Sequence, residues 1–437
     1  MLKRRDFLQS LTLGAGAMAL AGPSSLIHAA PAEYMGRLLV VMQLDGGWDV
    51  TSLCDPKVNQ PGERDINNWA KGADIQSAGR INYAPFASNQ RLFDNHFAKM
   101  LVVNGVDSQT NSHTTGVLHN WSGRNAAGLP SLTALFAAAN APEMPLAYVN
   151  FGGYADTASL VRYSRLDDYR ALIDLLNPAT VPWDNSRNIA SEASISRVHR
   201  YQRAALERKL ATNTLTPRQR KNLSAYLSAR TTRDSLRNLL DILPPEENIE
   251  PDVTLPGTNL YSSLMRQIQL SLLTFKAGVG LASDLILSGF DTHNDHDSQH
   301  TALYNHLADA IDYFWQYAGE LGISDRVTLV IGSDFSRTPN YNAQAGKDHW
   351  PIGSFIIMEE QPAWGNRVVG VTDGVHNALK IDPTSLKRDD ANGIILYPKH
   401  VHQALRRYLG LETFAATRQL TLGPTEHVDI FATDRWT

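Results

Sequence analysis

The chain has 437 residues, a length suited to one large α/β unit with insertions or to two or three domains. Hydrophobic residues at 43% and charged residues at 19% exclude extended disorder, collagen-like fibre and a disulfide-dense mini-protein. A formal charge of −4 is too small for bulk electrostatic capture of nucleic acid or of an anionic membrane, so no nucleic-acid partner is expected.

Residues 1–32 open with Lys3-Arg4-Arg5-Asp6-Phe7-Leu8, run through Ala, Gly and Leu from Leu8 to Gly22, and end on small residues around Ala29, Ala30 and Ala32. A basic start, an apolar middle and a small-residue cleavage site make an export signal. The paired arginines before Phe-Leu, with a glycine-rich and only mildly apolar middle, resemble the twin-arginine signal. This predicts the twin-arginine export machinery as a partner, cleavage near Ala32 and a periplasmic mature protein. An uncleaved anchor is the alternative, but the run falls short of the ~20 residues that span a bilayer comfortably. No other stretch is long and apolar enough to cross, so no stable transmembrane segment is expected in the mature protein. Losing Lys3, Arg4, Arg5 and Asp6 leaves 37 basic and 43 acidic residues, a charge of −6. The single Cys54 cannot form an internal disulfide, as expected of cargo that folds in a reducing compartment before transport.

Arg37 to Leu44 is a continuous apolar run ending at Asp45-Gly46-Gly47, the pattern of a buried parallel strand that delivers an acid to a tight turn. Four more runs follow: Met100 to Val106 ending at Asp107, Leu281 to Leu287 leading to Asp291, Val327 to Ile331 ending at Asp334, and Phe355 to Met358. Between them lies helical periodicity, as from Ser298 through Ala318, where Leu303, Leu307, Ala310, Ile311 and Phe314 mark one face. The alternation predicts a three-layer α/β fold, a mostly parallel sheet flanked by helices, with ligands gathered beyond the carboxyl ends of the strands. From 167 to 243 the strand signal gives way to long helical stretches, read as a helical insertion on a sheet domain made of 33–166 and 244–437. Arg197 to Arg237 holds eleven Lys or Arg against Glu207 and Asp234, a local +9 that leaves the rest of the mature chain near −15. It is either a solvated hairpin whose arginine stems cover apolar surface, or a cap that attracts an anionic substrate or cell-envelope polymer.

Carboxylates and histidines stand just after the apolar runs. They are Asp45 in Leu44-Asp-Gly-Gly-Trp-Asp49, Asp291-Thr292-His293, Asp334 in Gly332-Ser-Asp-Phe-Ser-Arg-Thr-Pro339, and Asp348-His349-Trp350. Each alone is as well explained by capping or hydrogen bonding. Carboxylates converging on one crevice, however, would repel and raise one another's pKa unless a cation neutralised them. Oxygen and imidazole donors at this density suit zinc or manganese, with calcium a further alternative. His296 and His300, at i and i+4, lie beyond the expected strand end and are read as supporting or surface residues. Ser112 sits in a Ser/Thr-rich segment, Asp107 to Gly116, ahead of a helix expected from Val117 to Ser122. A hydroxyl at a helix N-terminus can serve as a nucleophile where free N–H groups favour an oxyanion, or merely as a cap; spacing does not separate the two. Arg337 could clamp a tetrahedral oxyanion or pair with a neighbouring strand.

Leu-Asp-Gly-Gly, Phe-Asp-Thr-His, Ser-Asp-Phe-Ser-Arg-Thr-Pro and Asp-His-Trp, in that order behind a twin-arginine leader, resemble a bacterial family of exported sulfatase-like proteins grouped with the alkaline-phosphatase superfamily. The resemblance runs from about Arg37 to the C-terminus. It implies hydrolysis or transfer of phosphate or sulfate esters, with an anionic small molecule or glycan as substrate and one or two divalent metal ions. Asp45 matches the first-strand aspartate and Ser112 the hydroxyl nucleophile, with Thr114 and Thr115 as alternatives. Asp291, His293 and His349 match one metal site, and Asp334 the other. Phe335 stands where the superfamily commonly has a second-site histidine, and the spacing from Asp291 to His293 is shorter than usual. No Cys-x-Pro-x-Arg motif is present, which argues against a formylglycine mechanism. A periplasmic metal-dependent ester hydrolase is therefore expected. The competing expectation is a catalytically silent envelope-binding protein that uses the basic helical insertion.

Overall fold

A computed structural model describes residues 34–166, 169–176, 180–181, 184–231 and 236–433. The export signal expected at residues 1–32 lies outside the described residues. Eight strands form the main sheet: β1 (Leu38–Asp45), β2 (Met100–Asp107), β3 (Tyr148–Asn150), β4 (Tyr163–Arg165), β5 (Ala282–Ser288), β6 (Val327–Ser333), β7 (Ile352–Met358) and β8 (Arg367–Val369). Their spatial order is β8-β2-β7-β6-β1-β5-β3-β4. β1 lies at the middle, parallel to β5 on one side and β6 on the other, with Asp45 opposite Ser288 and Leu44 opposite Ser333. Such doubly covered strands must be apolar on both faces, and the residues from Leu38 to Leu44 are all buried, Gln43 included. β7 corrects one expectation: it runs antiparallel to both β6 and β2, which leaves β2 pointing the same way as β1. The carboxyl ends of β1, β2, β5 and β6 therefore share one edge, and β7 begins there.

The main helices are α1 (His113–Ser122), α2 (Leu132–Asn140), α3 (Glu192–Leu210), α4 (Pro217–Thr231), α5 (Leu264–Lys276) and α6 (His296–Glu320). The layering follows from two neighbouring residues of β5. Ser283 meets Ser271 of α5, with 2.7 Å between the hydroxyl oxygens, while Asp284 accepts a hydrogen bond from Thr133 of α2. Successive strand side chains point to opposite faces, so α5 and α2 cover opposite sides of the sheet. This is the three-layer α/β arrangement expected from the alternation of elements. Within 167–243 the described residues form helices together with a short antiparallel ribbon, Thr180–Val181 with Asp184–Asn188. Leu172, Leu176, Leu236 and Leu239 join Leu270, Leu273 and Val149 in one buried cluster that ties the ends of this segment to the body. No helix of the described residues is long and apolar enough to cross a membrane.

Candidate metal centre

Strand ends deliver the first groups. β1 ends at Asp45 and turns sharply through Gly46 at φ +114°, where a Cβ would lie 2.4 Å from the Asp291 backbone nitrogen. That glycine lets the loop after β5 close against the end of β1. Asp291 and His293 follow β5, Asp334 follows β6, and His113 opens α1 after β2. His349 lies on a two-residue ribbon with Ser336–Arg337, just before β7.

Three imidazoles meet at this edge. His349 Nε2 lies 3.1 Å from His113 Nε2 and 3.1 Å from His293 Nε2, and 3.2 Å from Asp291 Oδ1. Asp291 also approaches His293 Nε2 at 3.0 Å and His113 Nε2 at 3.4 Å. Each ring is held from behind through Nδ1: His113 by Asp334 Oδ2, His293 by Asp348 Oδ1 at 2.7 Å, and His349 by the Asn111 carbonyl at 2.7 Å. Those partners are all acceptors, so each Nδ1 carries a proton and each ring turns its Nε2 inward. Lone pairs 3.1 Å apart repel unless a proton or a cation lies between them. Outer carboxylates and carbonyls orienting inward imidazoles are what a metal site requires. Ligand atoms of His113, Asp291 and His349 all lie within 4.8 Å of one another, with His293 alongside. Imidazole nitrogens with a carboxylate oxygen suit zinc or manganese. Side-chain exposures of 46% for Asp291 and 35% for His113 leave the cluster open to a substrate.

Charges follow the geometry. Burial pushes the Asp291 carboxyl up, but Arg337, His113 and His293 outweigh it and hold the carboxyl below its usual range. The hydrogen bond that His113 donates to Asp334 is the largest influence on its pKa and raises it, against the pull of burial. Asp45 is raised, first by burial and then by the facing charge of Asp334.

The expected site residues thus take different positions. Asp291, His293 and His349 come together as expected. Asp334 is fully buried and has both oxygens engaged: Oδ1 accepts from Gly46 N–H at 3.2 Å and Ser333 Oγ–H at 2.7 Å, and Oδ2 holds His113. It is placed to orient an imidazole. Asp45 stays beside Asp334 as a neighbouring carboxyl. Ser112 is the exposed residue that precedes α1, and its side chain makes no capping hydrogen bond. Arg337 departs from the expected oxyanion clamp. It is fully buried, donating from Nε to Gly47 O at 2.8 Å, from Nη1 to Lys347 O at 3.2 Å, and from Nη2 to Gly46 O and, at 2.9 Å, to Asp291. Its fork is spent on three carbonyls of two loops and one carboxylate. Phe335 packs its ring 4.7 Å from His113 and 4.8 Å from His349, making an apolar wall beside both imidazoles.

Sequence reasoning missed His113 as a donor. The signal lay one residue past Ser112, in an imidazole that opens a helix after a strand end. His296 and His300, read as supporting or surface residues, are wholly buried and stacked 4.0 Å apart, which leaves the supporting role. They belong to a network around Asp49 that anchors the ligand loops. Asp49 Oδ2 accepts from Lys347 Nζ at 2.7 Å and lies 3.0 Å from His296 Nε2, with Asp49, Lys347 and His296 at zero side-chain exposure. Asn67 Oδ1 takes Lys347 Nζ at 2.9 Å, and Thr292, between Asp291 and His293, meets His296 Nδ1 at 2.7 Å. Burial would raise the Asp49 carboxyl, yet Lys347 and His296 together hold it well below the ordinary range.

The chain matches no curated protein. Solved structures that it resembles include a lipoteichoic acid synthase from Listeria monocytogenes, at 11% identity over 91% of this chain and 76% of that one, with a TM-score of 0.37. An alkaline phosphatase from the Antarctic bacterium TAB5 follows at 8%, covering 86% of this chain and all of that one, TM-score 0.36. A phosphonate monoester hydrolase of Agrobacterium radiobacter stands at 11%, 86% and 74%, TM-score 0.32. Overlaps this loose leave the fold to the sheet order and the chemistry to the site itself. Residues 37–389, which include every ligand candidate above, match one family over most of the chain, and the protein belongs to it: the family described as protein of unknown function (DUF1501).

Proposed function

We propose that this protein is a metal-dependent hydrolase of phosphate or sulfate esters, exported through the twin-arginine route and active in the periplasm. The observation that carries the proposal is the convergence of three Nε2 atoms whose Nδ1 protons are committed to acceptors behind them. His113, Asp291 and His349 would hold the ion, with His293 beside them. A bound divalent ion supplies Lewis acidity toward an ester oxygen and lowers the pKa of a bound nucleophile. The chain's own groups do the rest. Asp334 and Asp348 accept the Nδ1 protons of two imidazoles and so keep their Nε2 atoms turned inward, Arg337 holds Asp291 in place, and Phe335 excludes water from one side. Ser112 or water is the nucleophile, at the open N-terminal end of α1, where unpaired backbone N–H groups favour developing negative charge.

The test is elemental analysis of the purified protein, followed by a panel of phosphate and sulfate esters with and without chelator. Metal near one equivalent and turnover that chelator removes are expected. A metal-free protein with no ester hydrolysis after loading with zinc or manganese would sink the reading. Ser112→Ala separates the two nucleophiles: turnover lost by about 100-fold or more assigns the hydroxyl, whereas retained turnover assigns water.

A further inference from the structure

The basic segment is not used by the chemistry above. α3 and α4 pack on each other, and Ile195, Leu206 and Leu210 on one helix and Leu223 and Leu227 on the other are half-buried. At 1.5 Å per residue, the 19 residues of α3 extend about 28 Å. With a Debye length of about 10 Å at 0.1 M salt, a ligand against a helix of this length meets the segment's own charge first, a local +9 from Arg197 to Arg237.

Successive residues of α3 turn by about 100°, which sets Arg197, Tyr201, Ala204 and Arg208 on one stripe, flanked by Arg200 and Val198. This stripe lies opposite Ile195, Leu206 and Leu210. Tyr201 is 76% exposed and Val198 52%, and Ile189, just ahead of the helix, is 68% exposed. Arg197, Arg200, Arg208, Lys209 and Arg218 are all exposed, whereas Arg203 is paired with Glu207 at 2.9 Å. Apolar and aromatic side chains set among arginines match a bilayer interface, where guanidinium groups meet phosphates and a tyrosine ring lies at headgroup depth. A soluble polyanion would answer the charge but gives Tyr201 and Val198 no apolar phase to enter. A second hairpin of equal charge would repel this one.

We propose that the α3–α4 hairpin is a docking surface for an anionic phospholipid bilayer, seating the protein on the membrane through its arginines and the Val198–Tyr201 turn. This goes beyond the hydrolase reading and does not rest on it.

The full chain would be sedimented with vesicles of phosphatidylcholine alone or mixed with phosphatidylglycerol. Binding to the anionic vesicles at about 50 mM salt, weakening about tenfold or more by about 200 mM, is expected. Combined Arg197→Glu, Arg200→Glu and Arg208→Glu should abolish it with circular dichroism unchanged, and Tyr201→Ala should weaken it while keeping the salt slope. The proposal is overturned by no binding to anionic vesicles at low salt, by binding indifferent to charge reversal, or by dextran sulfate bound as tightly as vesicles with Tyr201→Ala silent. Self-association lost on charge reversal, without vesicle binding, overturns it in favour of a second copy.

Discussion

His113 is the ligand candidate whose ring leans on a buried carboxylate, and that partner decides how it behaves. Because Asp334 raises its pKa, protons compete with metal for Nε2, and affinity should fall as pH drops through the histidine range. Metal titrations at several pH values, with proton release counted, check this. Asp334→Asn keeps an oxygen for the Gly46 N–H but can place an N–H against His113 Nδ1. A 10- to 100-fold loss of metal affinity and loss of turnover are expected, with the melting temperature little changed. Unaltered affinity would remove Asp334 from the site.

A second residue-scale prediction concerns Asp284, buried in β5 and bonded to Thr133, Tyr148 and Asn150. Burial dominates these bonds and raises its carboxyl from 3.8 to about 7. The folded state thus favours the neutral acid. Its unfavourable ionisation is absent below pH 3.8, grows as pH rises toward 7 and is complete above it, for at most about 4 kcal/mol. Denaturant midpoints should fall between about pH 4 and about 7, and Asp284→Asn should flatten that dependence. A variant whose profile retains the wild-type slope would place the titration elsewhere.

Elements meet closely at the same edge. A Cβ on Gly116 of α1 would lie 2.4 Å from the Asp334 carbonyl oxygen, so only glycine lets the helix carry His113 up to that carboxylate. Gly116→Ala should cost about 1–3 kcal/mol and weaken metal binding together, read by chemical denaturation and metal titration. The loops answer to Asp49 and Lys347. Removing either partner leaves the other charge buried and unpaired, so Asp49→Ala or Lys347→Met should each destabilise by about 3–5 kcal/mol. The double variant should cost clearly less than the sum, which a double-mutant cycle measures. Strict additivity would mean that the pair is not coupled.

At the scale of the whole molecule, metal that binds only the folded state must stabilise it. A thousandfold excess over Kd contributes about 4 kcal/mol, so chelator should lower the melting temperature and added zinc or manganese restore it. A melting temperature indifferent to both would argue that the imidazole cluster holds no ion.

How much of this was legible in sequence differs by kind. Continuous apolar runs announced β1, β2, β5 and β6, because a strand covered on both faces must be apolar throughout. The turn residues after them marked Asp45, Asp291 and Asp334 at one edge. The antiparallel course of β7 was not legible, since a short apolar run carries no direction. His113 was obscured by the hydroxyl-bearing residues around it. Asp49 and Lys347 stand 298 positions apart and share no periodicity, so nothing local announces that they touch.

Composition and patterning alone determined a three-layer α/β chain with acids and imidazoles delivered to strand ends, and a basic segment rich in helix. Both are written in neighbouring residues. Which oxygen holds which ring, that Arg337 supports loops instead of facing solvent, and that Asp334 serves His113 were decided by tertiary structure. Hydrogen bonding and burial depend on atoms brought close from distant parts of the chain, and only the folded sheet sets those distances.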